Sequence, residues 1–358
     1  MIPHSRPTLG EEEKRALLRV LESEQIAQGE EVRNFEKAMT RQTGRAHGVA
    51  VNSGTSALLL ALHALGVTRG DEVVVPSYNC AALFHAIDGV EALPRLADTD
   101  SSDPSAAYAA VKKALTPQTR AVIVTHLFGK PCWNPDFERL PVPVIEDATQ
   151  ALGAVIGGRP AGSFGEISIF SFYATKMITT GEGGMILTGD AGLAEVCRDM
   201  RDYDKKESLR FRTNSKMTDF QAAMGTEQLS KLPGFVERRQ RIAAVYNAAL
   251  SGAGLALPDA PRGSEHVFYR YVVRLKAGLE AFLEALGLQG IDAKSPVHKP
   301  IHRMLGFPDS AFPVTTLAAR ECVSLPIFPL MGESEAARVA EAVRAALHGL
   351  KPAGVSEI

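Results

Sequence analysis

The spacing of hydrophobic positions changes along this chain of 358 residues. Between about residues 47 and 190, short apolar runs rich in β-branched side chains alternate with segments whose apolar residues recur every three or four positions. The short runs are typical of strands buried on both faces, and the longer segments are typical of amphipathic helices. Their alternation predicts an α/β fold with a largely parallel central sheet.

The same patterns place the individual elements. Strands are predicted at residues 72–76, 120–125, 142–147, 167–171 and 184–188, and helices at 55–65, 81–87 and 105–115. Residues 217–250 have helical spacing over a greater length. We expect two long helices there, broken near Pro233, because proline lacks the N–H of a helix interior.

The pattern changes again toward the C-terminus. A strand is predicted at residues 267–275, and a closing amphipathic helix at 333–347. A chain of this length exceeds what one hydrophobic core usually organises. We therefore expect a large domain at residues 1–236 and a small α+β domain at 237–358.

The charges and the composition exclude several classes of function. The chain has 39 Lys and Arg residues against 41 Asp and Glu residues, a net charge of −2, and 45% of its residues are hydrophobic. This balance, without a basic patch, predicts no nucleic-acid partner and no anionic membrane partner. No uncharged apolar run reaches the roughly 18 residues of a membrane span, and the first residues do not resemble a secretion signal. We expect a cytoplasmic protein.

The motifs of common cofactor and metal sites are missing. There is no GxGxxG after the first strand and no GxxxxGK[ST], so neither a dinucleotide site nor a P-loop is predicted. The cysteines form no CxxC pair, which suits a reducing compartment; they are Cys80, Cys132, Cys197 and Cys322. His298 and His302 have the spacing of a metal site, but Pro300 would disrupt the helix between them, so we expect no metal.

Residues 51–58 place small and hydroxylated side chains between an apolar run and a helix. The N–H groups of a helix N-terminus, with the hydroxyls of Thr55 and Ser56 beside them, suit a phosphate group. The same residues also suit an ordinary helix N-cap, and that alternative stays open.

Asp147 is expected at the C-terminal end of a buried strand. Ligands bind at the carboxyl ends of the strands in open α/β sheets, and a carboxylate buried there needs a positive partner or a ligand. The alternative is a cap for a helix that follows.

Lys176 follows an apolar, aromatic run and precedes a glycine-rich turn. An ammonium group is costly to bury, so this position favours a neutral, nucleophilic amine, which a Schiff base requires. The glycines of the turn suit a backbone that passes close to a ligand, or a plain hairpin. A phosphate cradle, an acid for a ring nitrogen and an amine for a carbonyl together predict pyridoxal phosphate.

Several segments, in the same order, resemble the DegT/DnrJ/StrS family of pyridoxal-phosphate sugar aminotransferases. They are residues 2–10, 28–36, 52–56, 70–77, 146–150, 170–176, 181–184 and 217–223. The resemblance implies the aspartate-aminotransferase fold, with a mixed, mostly parallel sheet in the large domain and a small C-terminal domain. It also implies a homodimer whose active sites lie at the subunit interface.

The resemblance also implies a set of site residues. Lys176 would form the Schiff base with the cofactor and then move the proton, and Asp147 would hold the proton of the pyridine nitrogen. Gln150 would lie near the ring hydroxyl, and Asn214 would reach the phosphate in the partner subunit. The full set of implied cofactor-binding residues is Gly54, Thr55, Ser56, Cys80, Asp147, Gln150, Ser171, Lys176 and Asn214.

This chain departs from the family pattern at two places. Cys80 stands where many members stack an aromatic side chain on the cofactor ring, and Tyr78 is the alternative if the register differs. Lys216 replaces the family's arginine after Asn214, and lysine cannot form the bidentate contacts of a guanidinium. His302 is a further candidate for a substrate contact.

The resemblance implies an aminotransferase that moves an amino group, most simply from glutamate, to a keto group of a nucleotide-linked sugar. The alternatives are a sugar dehydratase of the same fold and a regulator or interaction protein that no longer turns over. In the related dehydratases a histidine replaces the lysine, so Lys176 argues against that alternative. The intact set of Lys176, Asp147, Gln150 and Ser171 argues against the non-catalytic one.

Overall fold

A computed structural model of the chain describes residues 1–100, 107–260, 263–276 and 278–349. The first residues of the helix predicted at 105–115 and the last nine residues of the chain lie outside these ranges. Within them, no helix combines the length and the apolar character that a membrane span requires.

A seven-stranded sheet lies at the centre of the described part of the chain. In spatial order its strands are β1 (His47–Val51), β9 (Gly184–Thr188), β8 (Ile167–Ser171), β5 (Val144–Asp147), β4 (Thr119–Thr125), β2 (Glu72–Pro76) and β3 (Leu93–Ala97). Strand β9 runs antiparallel to both of its neighbours, and the other pairs are parallel. The sheet is mixed and mostly parallel, which confirms the predicted fold class.

The β-branched runs form strands because both faces of the sheet are covered. In β2, Val73 and Val75 belong to one buried cluster and Val74 belongs to another on the opposite face. Strands β2, β8 and β9 have the predicted bounds, whereas β4 begins one residue earlier and β5 two residues later than predicted.

The helices of this region are α1 (Glu11–Glu22), α2 (Glu30–Thr43), α3 (Gly54–Ala64), α4 (Ala82–Gly89), α5 (Tyr108–Ala114) and α6 (Ala191–Met200). Helices α2 to α6 pack against the sheet. Strands β1, β2, β4, β5 and β8 all run in one direction, so their C-terminal ends meet at one edge of the sheet. The segments that carry the predicted site follow this edge.

The prediction of two helices at residues 217–250 is wrong: they form one helix, α7 (Asp219–Leu250), with Pro233 inside it. Interior proline costs a helix about 3 kcal/mol. Packing on both sides of the proline outweighs this cost. Leu232 lies in a core with the sheet and α2, and Tyr246 lies in the C-terminal core.

The C-terminal part has its own buried core, which residues of α7 and Ile2 also join. Its elements are β11 (Tyr271–Arg274), α8 (Leu279–Leu288), α9 (Ile301–Met304), α10 (Pro313–Glu321), β12 (Cys322–Leu325) and α11 (Glu333–Gly349). Three short strands, β6 (Val155–Ile156), β7 (Arg159–Pro160) and β10 (Ser264–Glu265), form a separate small sheet. Helix α7 passes through the expected boundary at residues 236–237, and the division into domains stays a prediction.

The strand predicted at 267–275 is shorter than expected, because its first residues bond elsewhere. The N–H of Val267 donates to Gly129 O at 3.0 Å, and the N–H of Arg270 donates to Phe128 O at 3.1 Å. Of the predicted strand, only Tyr271–Arg274 (β11) pairs with β12. The segment before β11 therefore joins the C-terminal part to the turn that follows β4.

Candidate active site

Helix α3 begins directly after β1, with its N-terminus at the sheet edge. Ser53 caps it, because its Oγ accepts from the N–H of Ser56 at 3.0 Å. The Ser56 hydroxyl donates to Asn52 Oδ1 at 2.7 Å. Thr55 is exposed, and its hydroxyl has no hydrogen-bond partner among the described residues. The first helix N–H groups and Thr55 are therefore the donors that an anion would meet, whereas Ser56 is turned away from this role.

Ser171 lies against the start of this helix. It is the last residue of β8 and is half-buried. A Cβ atom on Gly54 would lie 2.9 Å from the Cβ of Ser171, so a glycine is needed for this close approach. The fold thus brings Gly54, Thr55 and Ser171 together at the edge of the sheet.

Asp147 ends strand β5 and is buried. Its Oδ1 accepts from the N–H of Thr149 at 3.1 Å, and no cation of the described residues lies at ion-pair distance. Burial raises the pKa of the carboxyl, while the hydrogen bond from Thr149 and the positive charge of Lys176 oppose this rise. A turn follows the strand, so Asp147 caps no helix. The carboxylate has room for a further N–H donor or cation.

Lys176 lies in the turn after β8 and is half-buried. Its Nζ is 5.2 Å from the centroid of the Tyr269 ring and has no hydrogen bond or ion pair among the described residues. Its charge acts on the Asp147 carboxyl and on the Cys80 thiol. These groups come from different segments and meet at one site, as predicted.

The amide of Gln150 has a fixed orientation. Its Oε1 accepts from the N–H of Phe128 at 2.8 Å, and its NH₂ group has no hydrogen-bond partner among the described residues. Phe128 has a φ of 62°, and the next residue, Gly129, has a φ of 89°. This left-handed turn aims the Phe128 N–H at Gln150 while the Phe128 carbonyl bonds to the C-terminal part.

Cys80 and Tyr78, the two candidates for a cover of the cofactor ring, differ in their exposure. Tyr78 is buried, with its ring against Phe128 and its hydroxyl 3.4 Å from Ala318 O, which leaves it little surface for a ligand. Cys80 is accessible to solvent. Burial by surrounding atoms raises the pKa of its thiol, the charge of Asp147 adds to the rise, and Lys176 opposes it. A neutral thiol behaves as a small apolar group rather than as a nucleophile.

His302 does not fit a substrate contact. It is fully buried, its Nδ1 lies 2.8 Å from Ser77 Oγ, and its Nε2 lies 3.2 Å from Asp309 Oδ1. Its ring also stacks on Phe312. Because both ring nitrogens already have partners inside the fold, His302 is a structural residue that fastens α9 to the turn after β2.

Asn214 is exposed and lies near the start of α3, where its carbonyl oxygen is 3.4 Å from Asn52 Nδ2. Lys216 is not free for a substrate, because its Nζ lies 2.5 Å from Asp202 Oδ1 and 3.6 Å from Asp204 Oδ2. The change from the family's arginine to lysine is thus accompanied by local ion pairs.

Sequence reasoning did not identify Tyr269 and Arg270 as site residues. Tyr269 is buried beside Lys176, and its hydroxyl lies 3.4 Å from Thr175 Oγ1. Burial would raise the pKa of the phenol, but the charges of Lys176 and Arg270 lower it to about 8. The signal in the sequence was an arginine inside an apolar, aromatic run, since charged residues are seldom placed there without a partner.

Comparison with known proteins identifies the family. Residues 7–344 match the DegT/DnrJ/EryC1/StrS aminotransferase family. The chain is 36% identical to the UDP-N-acetyl-3-dehydro-alpha-D-glucosamine 3-aminotransferase of Acidithiobacillus ferrooxidans, over 92% of each chain. It is 34% identical to the dTDP-3-amino-3,4,6-trideoxy-alpha-D-glucose transaminase of Streptomyces venezuelae, over 92% of this chain and 90% of that one.

A solved structure gives the same result. S. venezuelae DesV, in complex with a ketimine intermediate, superimposes with a TM-score of 0.90 at 34% identity and covers 95% of both chains. The family match and these relatives confirm the resemblance inferred from the sequence. The chain belongs to the DegT/DnrJ/EryC1/StrS aminotransferase family, and the protein is an aminotransferase.

Proposed function

We propose that this aminotransferase binds pyridoxal phosphate and moves an amino group from glutamate to a keto group of a nucleotide-linked sugar. One observation carries the proposal. Among the described residues, the amine of Lys176 has no anionic partner at ion-pair distance, and it lies near the buried carboxylate of Asp147, which has no cationic one. The names of two relatives, which act on UDP-linked and dTDP-linked sugars, support the class of acceptor.

The residues present fit pyridoxal phosphate. The glycine at position 54 lets the start of α3 approach Ser171 closely, so that Thr55 and Ser171 lie beside the first N–H groups of the helix, and these donors suit the phosphate. Asp147 lacks the cation that a protonated ring nitrogen would supply. When bound, the group supplies an electron sink and carries the amino group between the two substrates.

Each residue would have a separate task. Asp147 would hold a proton at the ring nitrogen, and its burial excludes water from this contact. The Lys176 amine would attach the cofactor and, once released, move a proton at the substrate carbon. The Gln150 NH₂ group would donate near the ring hydroxyl, and Cys80 would cover one face of the ring.

We propose a homodimer in which Asn214 reaches the phosphate in the partner subunit. Asn214 is exposed, and the segment before it exposes apolar side chains of Tyr203, Leu209 and Phe211. A soluble monomer seldom exposes such side chains together, so a second copy of the chain is a suitable cover for them. Sedimentation at several protein concentrations tests this; a monomer at every concentration would contradict it.

The first experiment is an absorption spectrum of the purified protein with pyridoxal phosphate, before and after glutamate is added. We expect a visible band from the lysine-bound cofactor, which glutamate removes. The glutamate-treated protein, mixed with a panel of nucleotide-linked ketosugars, should then regain the band with one of them, and mass spectrometry identifies the amino sugar. A visible band that does not change when glutamate is added, or the absence of such a band, would overturn the proposal.

Lys176→Ala tests whether Lys176 is the attachment site, and Lys113→Ala is its matched control. The variant should keep the phosphate cradle and bind the cofactor, but it should show no lysine-bound band and no detectable transfer. Lys113→Ala removes an equal charge from an exposed position on α5 and should behave like the wild type. Transfer at the wild-type rate by Lys176→Ala would exclude Lys176 as the attachment site.

A further inference from the structure

The ring of Tyr269 lies close to two cations that have no carboxylate partner in the described part of the chain. The Lys176 Nζ is 5.2 Å from the ring centroid, and the Arg270 Cζ is 5.1 Å from it. Neither side chain makes an ion pair among the described residues. The proposed function accounts for Lys176, but it gives no task to Arg270.

The position of Arg270 is fixed by its surroundings. Its backbone N–H donates to Phe128 O at 3.1 Å, in the turn that also holds Gln150. Its Nη1 lies 3.2 Å from His4 Nε2, and that imidazole is also 2.8 Å from Ser324 Oγ. Burial and the charge of Arg270 lower the pKa of His4 to about 3, so the imidazole is neutral and does not add a charge. The guanidinium is thus held in place without being neutralised.

A cavity of about 120 Å³ lies next to this guanidinium. Phe128, Leu257 and Val272 contribute apolar surface to its walls. Two other cations of the lining are paired: Lys130 Nζ lies 2.7 Å from Asp259 Oδ1, and Arg274 Nη2 lies 2.8 Å from Glu321 Oε2. Arg270 is therefore the arginine of this cavity whose charge no carboxylate of the described residues balances.

We infer that Arg270 binds an oxyanion of a substrate in this cavity, through the paired N–H groups of its guanidinium. The inference rests on the proposed function, since it concerns how that site recognises its substrates. The oxyanion is a carboxylate of the amino donor or the diphosphate of the sugar nucleotide. The apolar walls suit the carbon chain that carries such a group.

Binding to the cofactor-loaded enzyme tests this inference without turnover. The probes are glutarate, a dicarboxylate that has no amino group to transfer, and inorganic pyrophosphate, which presents a diphosphate without a base. Isothermal titration calorimetry should show that Arg270→Gln weakens at least one probe by about 10- to 100-fold. Loss of glutarate binding assigns the site to the donor, loss of pyrophosphate binding assigns it to the acceptor, and loss of both assigns it to both.

Two further variants make the test specific. Leu257→Trp keeps Arg270 but fills the cavity from another wall, so it should lower the affinity for the same probe. If Arg270→Gln does not fold, this variant tests the inference by itself. Arg241→Gln removes an equal charge from an exposed position on α7 and should bind both probes like the wild type. Wild-type affinity for both probes in a folded Arg270→Gln, or in Leu257→Trp, would overturn the inference.

The half-reactions give a second measurement. If Arg270 binds the donor, Arg270→Gln should raise the glutamate concentration needed to remove the cofactor band and leave the step with the ketosugar unchanged; the acceptor assignment predicts the reverse. Failure of the proposed function is a separate outcome, because the wild type itself would then transfer no amino group while its affinity for the probes could still be measured.

Discussion

Glu146 and Asp147 are neighbours on strand β5 and both are buried, but their surroundings differ. Both oxygens of Glu146 lie within 2.6 to 2.8 Å of hydrogen-bond donors. These donors are His126, Gly162, Phe164 and Ser168. Asp147, on the opposite face, is hydrogen-bonded only by Thr149 among the described residues, and the N–H of Thr149 donates to Oδ1 at 3.1 Å.

The difference separates a structural carboxylate from one available to a ligand. Glu146 fastens loops to the sheet, and its hydrogen bonds compensate the cost of burial. Asp147 bears that cost with little compensation, as the raised pKa of its carboxyl shows. The cost of burying such a carboxylate is compensated by the stability of the rest of the fold. A protonated ring nitrogen would supply the cationic partner that it lacks.

The largest effect should follow the loss of charge at Asp147. Asp147→Asn keeps the shape of the side chain but cannot hold a proton on a ring nitrogen through an ionic contact. We expect turnover to fall by about 100- to 10,000-fold, with weaker effects on substrate KM. Steady-state kinetics with glutamate and the accepted ketosugar measure this. Turnover within a few-fold of the wild type would show that Asp147 does not assist the chemistry.

Glu146→Gln applies the same change of carboxylate to amide at the neighbouring position, where we expect a loss of stability. Oε1 faces the N–H of Gly162 and Oε2 faces the N–H of Phe164. Whichever oxygen becomes an NH₂ group, it meets a backbone donor that cannot turn away. The free energy of unfolding should fall by about 3 to 5 kcal/mol, and urea denaturation measures it. An unchanged midpoint would mean that this network contributes little.

The sequence predicts the site where the signal is local. Asp147 follows a β-branched run, Lys176 follows an aromatic run, and Thr55 stands at the first turn of an apolar helix. Because parallel strands place their carboxyl ends at one edge, local assignments of this kind suffice to bring these residues together. The bounds of β2, β8 and β9 could be predicted from local signals as well, whereas the mixed character of the sheet is implied only by the family resemblance.

Other features depend on contacts between distant segments. The proximity of Tyr269 to Lys176 requires the turn at Phe128, whose left-handed φ no local pattern indicates. Pro233 breaks a helix by local rules, yet packing at both ends of α7 keeps it continuous. The sequence does not show whether Cys80 or Tyr78 faces the site. Both residues lie in an irregular turn, where side-chain directions follow neither a helical nor a strand period.

The smallest effect concerns the stability of Asp147→Asn without cofactor, and its sign is opposite to that at Glu146. Burial raises the pKa of Asp147 in the folded state, so the native protein binds more protons than the unfolded chain just above the usual pKa of aspartate. The wild type should therefore lose stability, relative to the variant, as the pH rises from about 4 toward neutrality. Near neutrality the variant should be more stable by on the order of 1 kcal/mol, measured by urea denaturation.

Adding pyridoxal phosphate should remove or reverse this advantage, because the carboxylate then has a positive partner. A variant less stable than the wild type without cofactor would mean that Asp147, like Glu146, is a structural carboxylate.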